Sequence, residues 1–420
     1  MISLEAILLL GSGLVTTRAL NFEFLWPMVD SLGRTLIFDT IFLLAFLLYI
    51  LLGRRGQKTA RTRFWLVATV CLWTMTILVT RQWQNRSSTV EPYPIQDGAV
   101  QTEAAAKFLL QGINPYQADY QPTRFGYFPS PAGRDHPNVA WTHYAYAPGN
   151  VLLAVPIVWL KKLGSTVDVS LIYCLALIAA VVILVTRIKD WNYRTRLVLL
   201  TLGNPYLWFY PVAGFNDVVF VLGLIGAAAA ISSRRWTIAG LAFAAALFTK
   251  QTAWLTIPLW IWWLWRLYRQ ANPVAKTGPR RALWVSAVAT VVAYAPFVLW
   301  NARAFYDDAI RYVSGAIPWS YPIAGSTMLQ WLRVGRLIPS EWSMLPHTLI
   351  MLAVAAPTLW LTGRWISSRP TSSQWLLGCG VVIFTTMLFN RFFLENYIAA
   401  LYLLFVAVYA LHQTEQQRPA

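Results

Sequence analysis

Charged residues are scarce in this sequence. Of its 420 residues only 12% are Asp, Glu, Lys or Arg, whereas 57% are hydrophobic. A soluble domain carries about 25% charged residues, so this composition argues against a water-soluble globular protein. Apolar segments of about 20 residues, the length that crosses a bilayer, recur along the chain. We therefore expect 1–420 to form a single membrane domain rather than a soluble body on an anchor.

Cysteine pairs and common catalytic motifs are also missing. Cys71, Cys174 and Cys379 lie in apolar stretches without a CxxC pair, and we interpret them as small buried side chains. The sequence has no Walker lysine loop, no GxGxxG after a strand, no HExxH and no GxSxG. These absences argue against soluble nucleotide chemistry.

The net charge of +17 has two readings. In a soluble protein it would indicate a nucleic-acid partner, but no basic module stands outside the apolar segments, so none is expected. Basic residues in short cytoplasmic loops instead meet anionic headgroups, which makes membrane lipids the expected partner.

The hydropathy pattern predicts an all-α, polytopic transmembrane bundle of about twelve crossings, with eleven to thirteen as the range. A basic run between the second and third spans sets the orientation, with both termini in the cytoplasm: Arg54, Arg55, Lys58, Arg61 and Arg63. The candidate spans are 2–18, 36–52, 64–80, 167–187, 197–213, 216–232, 235–250, 252–268, 282–300, 346–363, 374–390 and 394–412.

The segment 146–160 decides the crossing count. If it crossed the membrane, two basic clusters would lie outside, so we read it as a short re-entrant or interfacial helix. Two long outer loops then result, 81–145 and 301–345. Most of the 17 acids fall on the outer side, which favours chemistry there.

The first loop predicts an interfacial helix over 97–111. Asp97 is either only its N-cap or a general base at the membrane surface. Glu103 is either a substrate contact or half of an ion pair with Lys107, four residues on. Asn114 and Tyr116 follow in a turn around Pro115.

Aromatic residues cluster just before 146–160. His143, Tyr144 and Tyr146 are either interfacial belt residues or a platform on which a sugar stacks. A lone histidine is a weak metal ligand, so no metal site is assigned to it.

Polar residues recur at outer span ends. Asn216 and Asp217 either cap a helix or act in a site. Lys250 either extends to headgroups or binds the phosphate of a lipid. Arg391 either pairs with Glu395 or is a second phosphate ligand. Four charged residues of the second loop either make further contacts or form ion pairs with one another: Arg303, Asp307, Asp308 and Arg311.

These residues together resemble the GT-C superfamily of membrane glycosyltransferases. The chain is most similar to bacterial mannosyltransferases of the cell envelope that use polyprenyl-phosphate sugars. The resemblance covers about 90–260, with a weaker echo at 390–397. Its motifs are the acid Asp97 before a short helix, Leu-Leu-x-Gly-x-Asn-Pro-Tyr at 109–116, Tyr-x-Pro-Gly at 146–149, Asn204-Pro205, Gly-x-Asn at 214–216 and Lys250.

The resemblance implies an inverting transfer at the outer face of the plasma (inner) membrane. Asp97 would activate a hydroxyl of a glycolipid or glycan acceptor, and a polyprenyl phosphate would leave. Lys250 and Arg391 would stabilise the phosphate. Glu103, Asn114, Tyr116, His143, Tyr144, Tyr146, Asn216 and Asp217 are the candidate substrate contacts.

The chain also departs from the patterns of the superfamily that it resembles. Gly98 follows Asp97, where protein O-mannosyltransferases have adjacent Asp-Glu, and the large soluble domain of oligosaccharyltransferases is missing. Both departures argue against a protein acceptor. No cofactor is assigned, and a divalent metal stays an open alternative.

Two other functions compete with this one. The first is a lipid-sugar flippase or transporter without transferase activity, although no internal repeat is visible. The second is a scaffold that binds a partner through 81–145.

Overall fold

The computed structural model describes residues 5, 6, 8, 9, 31–53, 55–88, 95–133, 135, 136 and 138–417. Helix is the main secondary structure of these residues, as the sequence predicts. The first half of the chain forms α1 (Ser31–Gly53), α2 (Ala60–Ser88), α3 (Asp97–Leu110), α4 (Pro148–Lys162), α5 (Ser170–Val185), α6 (Trp191–Leu200), α7 (Pro205–Ala213) and α8 (Asp217–Ser232).

The second half continues with eight more helices among the described residues and one pair of short strands. Its helices are α9 (Trp236–Thr249), α10 (Ile257–Gln270), α11 (Thr277–Trp300), α12 (Ala302–Tyr306), α13 (Met328–Val334), α14 (His347–Ser368), α15 (Ser372–Leu388) and α16 (Glu395–Gln416). The parallel strands β1 (Ala324–Gly325) and β2 (Phe392–Phe393) join the loop 301–345 to the connection between α15 and α16.

Among the described residues, α11, α14 and α16 are long and apolar enough to cross a membrane. A fourth candidate is α7 with α8, which meet at an angle of 118°. Four further apolar segments are shorter: Leu43–Gly53 within α1, α5, α9 and α15. Twelve crossings therefore stay a prediction, and the span predicted at 2–18 lies almost entirely outside the described residues.

The structure corrects the span predicted at 197–213, which is two helices rather than one. The helix α6 ends at Leu200, and α7 begins at Pro205 after a turn. Asn204 caps α7, because its side chain accepts a hydrogen bond of 3.1 Å from the backbone N–H of Tyr206. A proline with a capping residue before it is a helix start, and here it overrides the continuous apolar run.

Helix α8 forms the centre of the molecule. Nearly all of its side chains are buried, which fits its apolar residues on every side. Gly223 allows close approach to α9, since a Cβ there would lie 2.7 Å from the Cβ of Ala246. Because α8 is central, its first residue, Asp217, is held inside the protein.

Candidate functional site

A cavity of about 570 Å³ lies where the first residues of α3, α8 and α16 meet the end of α9 and the segment 307–312. Five of the residues singled out in the sequence line it: Asp97, Tyr146, Asn216, Asp217 and Lys250. The structure thus brings together side chains from four separate stretches of the chain.

Asp97 is the first residue of α3 and not its N-cap, which corrects the capping interpretation. The cap is Gln96, whose side chain accepts a hydrogen bond of 3.0 Å from the backbone N–H of Ala99. Asp97 Oδ1 accepts hydrogen bonds from the Gly98 N–H at 2.7 Å and from Gln96 Nε2 at 2.5 Å. Asp97 is exposed where it lines the cavity, so a ligand can reach its carboxylate.

The pKa of Asp97 reflects two opposed effects. The protein around the cavity raises the pKa of the Asp97 carboxyl above its usual value, because it limits the hydration of a carboxylate that is still open to the cavity. The hydrogen bonds from Gly98 and Gln96 act in the opposite direction, since they stabilise the anion. The result is a carboxyl more basic than a free aspartate.

Gly98 lets Tyr146 approach Asp97. A Cβ at position 98 would lie 1.8 Å from the Tyr146 hydroxyl oxygen, so no larger residue fits without displacing the ring. The Tyr146 hydroxyl in turn lies 3.4 Å from Gln96 Nε2. The position of the Tyr146 ring therefore explains why residue 98 is a glycine.

The backbone of residues 143–146 is held by side chains from four different parts of the chain. The His143 carbonyl accepts from Gln101 Nε2 at 2.7 Å, and the Tyr144 N–H donates to Asp308 Oδ2 at 2.7 Å. The remaining two bonds use carbonyl acceptors: Gln251 Nε2 donates to Ala145 at 2.9 Å, and the Tyr116 hydroxyl donates to Tyr146 at 2.8 Å. This segment is fixed and presents the Tyr146 ring to the cavity.

Asp308 joins the second loop to the first. It is buried, and its Oδ1 lies 2.5 Å from His143 Nδ1. Burial raises the pKa of Asp308, and the hydrogen bonds from His143 and the Tyr144 N–H oppose that rise. The ring of Tyr312, which lines the cavity, stacks on His143 with 5.2 Å between centroids. His143 and Tyr144 therefore support the cavity wall from behind.

Lys250 belongs to a polar cluster that lines the cavity. Its ammonium donates to the Asp217 carboxylate and, at 2.9 Å, to Asn216 Oδ1, and it lies 4.8 Å from the centre of the Tyr397 ring. The other oxygen of Asp217 accepts from Asn396 Nδ2 at 2.6 Å. Lys250 is buried, so the interpretation that it extends to headgroups is wrong, and the Asn216 side chain does not cap α8.

Glu103, Asn114 and Tyr116 do not line the cavity. Glu103 pairs with Lys161 of α4 at 2.5 Å and accepts from the Val169 N–H, so the ion pair predicted with Lys107 is wrong. The Asn114 side chain accepts from the Tyr116 N–H and caps the helical turn Pro115–Gln117. These residues position the first loop.

Arg391 is also kept from the cavity. Its guanidinium is buried and donates to three backbone carbonyls, those of Tyr321, Ser343 and Glu341, at 2.6 to 3.1 Å. The predicted pair with Glu395 is absent from the ion pairs of the described residues. This arginine holds the second loop, and the geometry does not support its role as a phosphate ligand.

Several cavity residues were not singled out as site residues from the sequence. Separate elements contribute these further lining residues: Gln96, Gln251, Tyr312, Tyr321 and Asn396. Local signals existed for four of them: Gln96 and Gln251 adjoin Asp97 and Lys250, Tyr321 is an aromatic residue of the second loop, and Asn396 lies in the polar turn at 390–397. Asp308 was noted only as one of four charged residues in the second loop that either make further contacts or pair with one another. Its neighbour Asp307 makes the pairs at four-residue spacing, with Arg303 and Arg311.

Within the described part of the chain, no group of three His, Cys, Asp or Glu side chains is arranged to hold a metal ion. No protein-family model, curated protein or solved structure matches this chain. The function is therefore argued from the chemistry of the cavity.

Proposed function

We propose that this protein is a membrane glycosyltransferase of the GT-C type. It would move a hexose, mannose being the expected sugar, from a polyprenyl phosphate to a hydroxyl of a glycolipid or glycan. The observation that carries the proposal is that one cavity is lined by both Asp97 and Lys250. A general base and a cation beside a leaving phosphate are the two groups that such a transfer needs.

Asp97 is the proposed base. Its carboxylate takes the proton of the acceptor hydroxyl, and that oxygen attacks the anomeric carbon. The bond from the anomeric carbon to the phosphate oxygen breaks, so polyprenyl phosphate leaves with the electron pair and the configuration inverts. The raised pKa of Asp97 supports this role, because a base works best when its pKa approaches the working pH.

Lys250 is the proposed partner of the phosphate. Its ammonium is held in the cavity by Asn216 and Asp217, so it needs no further ordering when the donor binds. A preorganised cation stabilises the charge that develops on the leaving phosphate. Tyr146, Tyr312 and Tyr321 line the same cavity and offer rings and hydroxyls to the sugar.

The proposal includes twelve crossings and a cavity open to the outer face of the plasma membrane. The segment 146–160 is decisive, and it corresponds to the 15-residue helix α4. Leu163, which is 72% exposed just beyond α4, is a suitable position for a cysteine in a background without the three native ones. Labelling from outside by an impermeant thiol reagent supports the re-entrant topology, and labelling only from the cytoplasm overturns it.

The decisive experiment compares purified wild type with Asp97→Asn in detergent. Release of free polyprenyl phosphate from polyprenyl-phosphate mannose is measured with a glycolipid extract as acceptor. We expect wild-type turnover and a loss of about 10² to 10⁴ in Asp97→Asn, the usual contribution of a general base. Asp119→Asn, at an exposed loop acid outside the cavity, is the matched control. Equal turnover in wild type and Asp97→Asn would remove Asp97 from the mechanism.

A lipid-sugar carrier is the second candidate, and one observation favours it. Helices α7 and α8 meet at 118° around residues 214–216, next to the buried Asp217. Broken helices with polar groups at the break are typical of transporters. Transbilayer movement of an intact lipid-linked sugar in proteoliposomes, without cleavage, would support the carrier over the transferase.

A further inference from the structure

Gln96 makes two sets of contacts with one side chain. Its Oε1 accepts the N–H of Ala99 at 3.0 Å and caps α3. Its Nε2 donates to Asp97 Oδ1 at 2.5 Å and lies 3.4 Å from the Tyr146 hydroxyl. The Gln96 amide thus connects the start of α3, the carboxylate of Asp97 and the hydroxyl of Tyr146.

Glutamine is an uncommon choice for this position. Asn, Asp, Ser and Thr are preferred as N-caps, because their short side chains reach the free N–H groups of the first turn. A cap alone would be made as well or better by one of those residues. The extra length and the amide N–H of Gln96 serve the contact with Asp97.

The side-chain and backbone bonds to Asp97 converge on one of its two oxygens. Both Gln96 Nε2 and the Gly98 N–H donate to Oδ1. These two bonds restrain the orientation of the carboxylate where it lines the cavity. We infer that Gln96 is a positioning residue, which orients the Asp97 carboxylate in the cavity and stabilises its ionised form. The expected effect of Gln96 on turnover rests on the proposed function.

The remaining groups around Asp97 do not replace Gln96. The phenols of Tyr146, Tyr312 and Tyr321 are close enough to interact with the Asp97 charge, and burial raises the pKa of each, so they stay neutral. Asp217 and Lys250 line the same cavity but already pair with each other. His347 and Tyr397 complete the titratable side chains of the lining. Loss of the Gln96 bond therefore raises the pKa of Asp97 further.

The test uses Gln96→Ser, because serine keeps a good cap and cannot reach Asp97. We expect an unchanged thermal midpoint in detergent, since the cap is preserved. The acidic limb of the pH–rate profile should move upward by about one pH unit, the effect of one hydrogen bond to a charged group. Turnover at neutral pH should fall about tenfold, with little change in KM. Gln96→Asn, the best cap among the amides, serves if the serine variant does not fold.

The matched control is Thr371→Ser, a cap exchange at the start of α15. The Thr371 hydroxyl accepts from the Gln374 N–H, and the residue is outside the cavity. We expect neither the pH–rate profile nor turnover to change. A shift in this control equal to that of Gln96→Ser would mean that the effect is only one of helix stability.

A second measurement keeps this inference separate from the proposed function. Infrared spectroscopy of isotope-labelled protein follows protonation of Asp97 as the band that Asp97→Asn removes. An upward shift of its midpoint in Gln96→Ser supports the positioning role, even if the wild type turns over no donor and the transferase proposal fails. The same midpoint in wild type and Gln96→Ser overturns the inference.

Discussion

Two helix ends line the cavity, the start of α3 and the start of α8, and each contains one aspartate in a different state. At one end Asp217 binds Lys250 and Asn396, so its charge is compensated inside the protein. At the other end Asp97 is stabilised by an amide and a backbone N–H, and the described residues provide no cation within ion-pair distance. The comparison teaches that residue type does not decide function here: the first carboxylate is occupied, and the second is available to a ligand.

The two ends differ because of the elements that form them. Asp217 starts α8, which is surrounded by protein, so its charge must be paired where it stands. Asp97 starts α3, whose free N–H groups and dipole favour an anion without a cation. An anion held by dipoles can accept a proton without leaving an unpaired buried lysine behind.

The largest expected effect comes from removing Lys250, the counter-ion of Asp217. In Lys250→Met the buried Asp217 loses its counter-ion, and removing one partner of a buried pair costs about 3 to 5 kcal/mol of folding free energy. The thermal midpoint in detergent measures the loss. Lys250→Met combined with Asp217→Asn should recover most of it, because no charge is left unpaired. An equal loss in the double variant would show that packing, and not charge, governs this end.

A second effect tests how Asp308 holds the segment 143–146, which forms part of the cavity wall. In Asp308→Asn the bonds to His143 and to the Tyr144 N–H lose their charge, which should cost about 1 to 3 kcal/mol of folding free energy. Asp307→Asn is the adjacent control: its partners Arg303 and Arg311 are solvent-exposed, and such pairs contribute at most about 1 kcal/mol. Both are measured by thermal unfolding. Equal midpoints for the two variants would contradict the role of Asp308 as the link between the loops.

A third change disturbs the available end alone. Gly98→Ala places a methyl group against the Tyr146 hydroxyl, and overpacking of this kind costs about 1 to 3 kcal/mol of folding free energy. Gly335→Ala is the matched control, because a Cβ there meets nothing closer than 3.5 Å. We expect Gly98→Ala to lower the thermal midpoint and to displace Tyr146 from Asp97. If both alanine variants behave like wild type, the close approach of Tyr146 is not required.

The helical class of the fold and two charged residues of the cavity, Asp97 and Lys250, could be predicted from local signals. The all-helical class follows from the length of the apolar runs. Asp97 stands out as the acid that begins a short helix in the first outer loop, and Lys250 as a cation between two apolar runs. The break before α7 also had a local signal in Gly203, Asn204 and Pro205. The span prediction passed over it, because averaged hydropathy is insensitive to a single turn.

Contacts between distant segments could not be predicted. His143 and Asp308 are 165 residues apart, and no spacing rule connects them. Glu103 has a lysine at the ideal helical spacing but pairs with Lys161, since a tertiary contact replaced the local one. Arg391 was read as a phosphate ligand because its charge is visible in sequence, whereas the carbonyls that bind it are placed by the fold.

The smallest expected effect has the opposite sign to the others and tests whether Asp97 is the available acid. The protein around the cavity raises its pKa, so the folded state binds this proton more tightly than the unfolded chain does. The ionised carboxyl therefore lowers wild-type stability as pH rises through its folded pKa, and below its unfolded pKa this penalty is absent. Asp97→Asn carries no such charge, so its thermal midpoint relative to wild type should rise as the pH increases from about 4, the pKa of an unfolded aspartate, through the folded pKa. A difference that stays constant over this range would show that Asp97 is as well compensated as Asp217, and the contrast between the two ends would disappear.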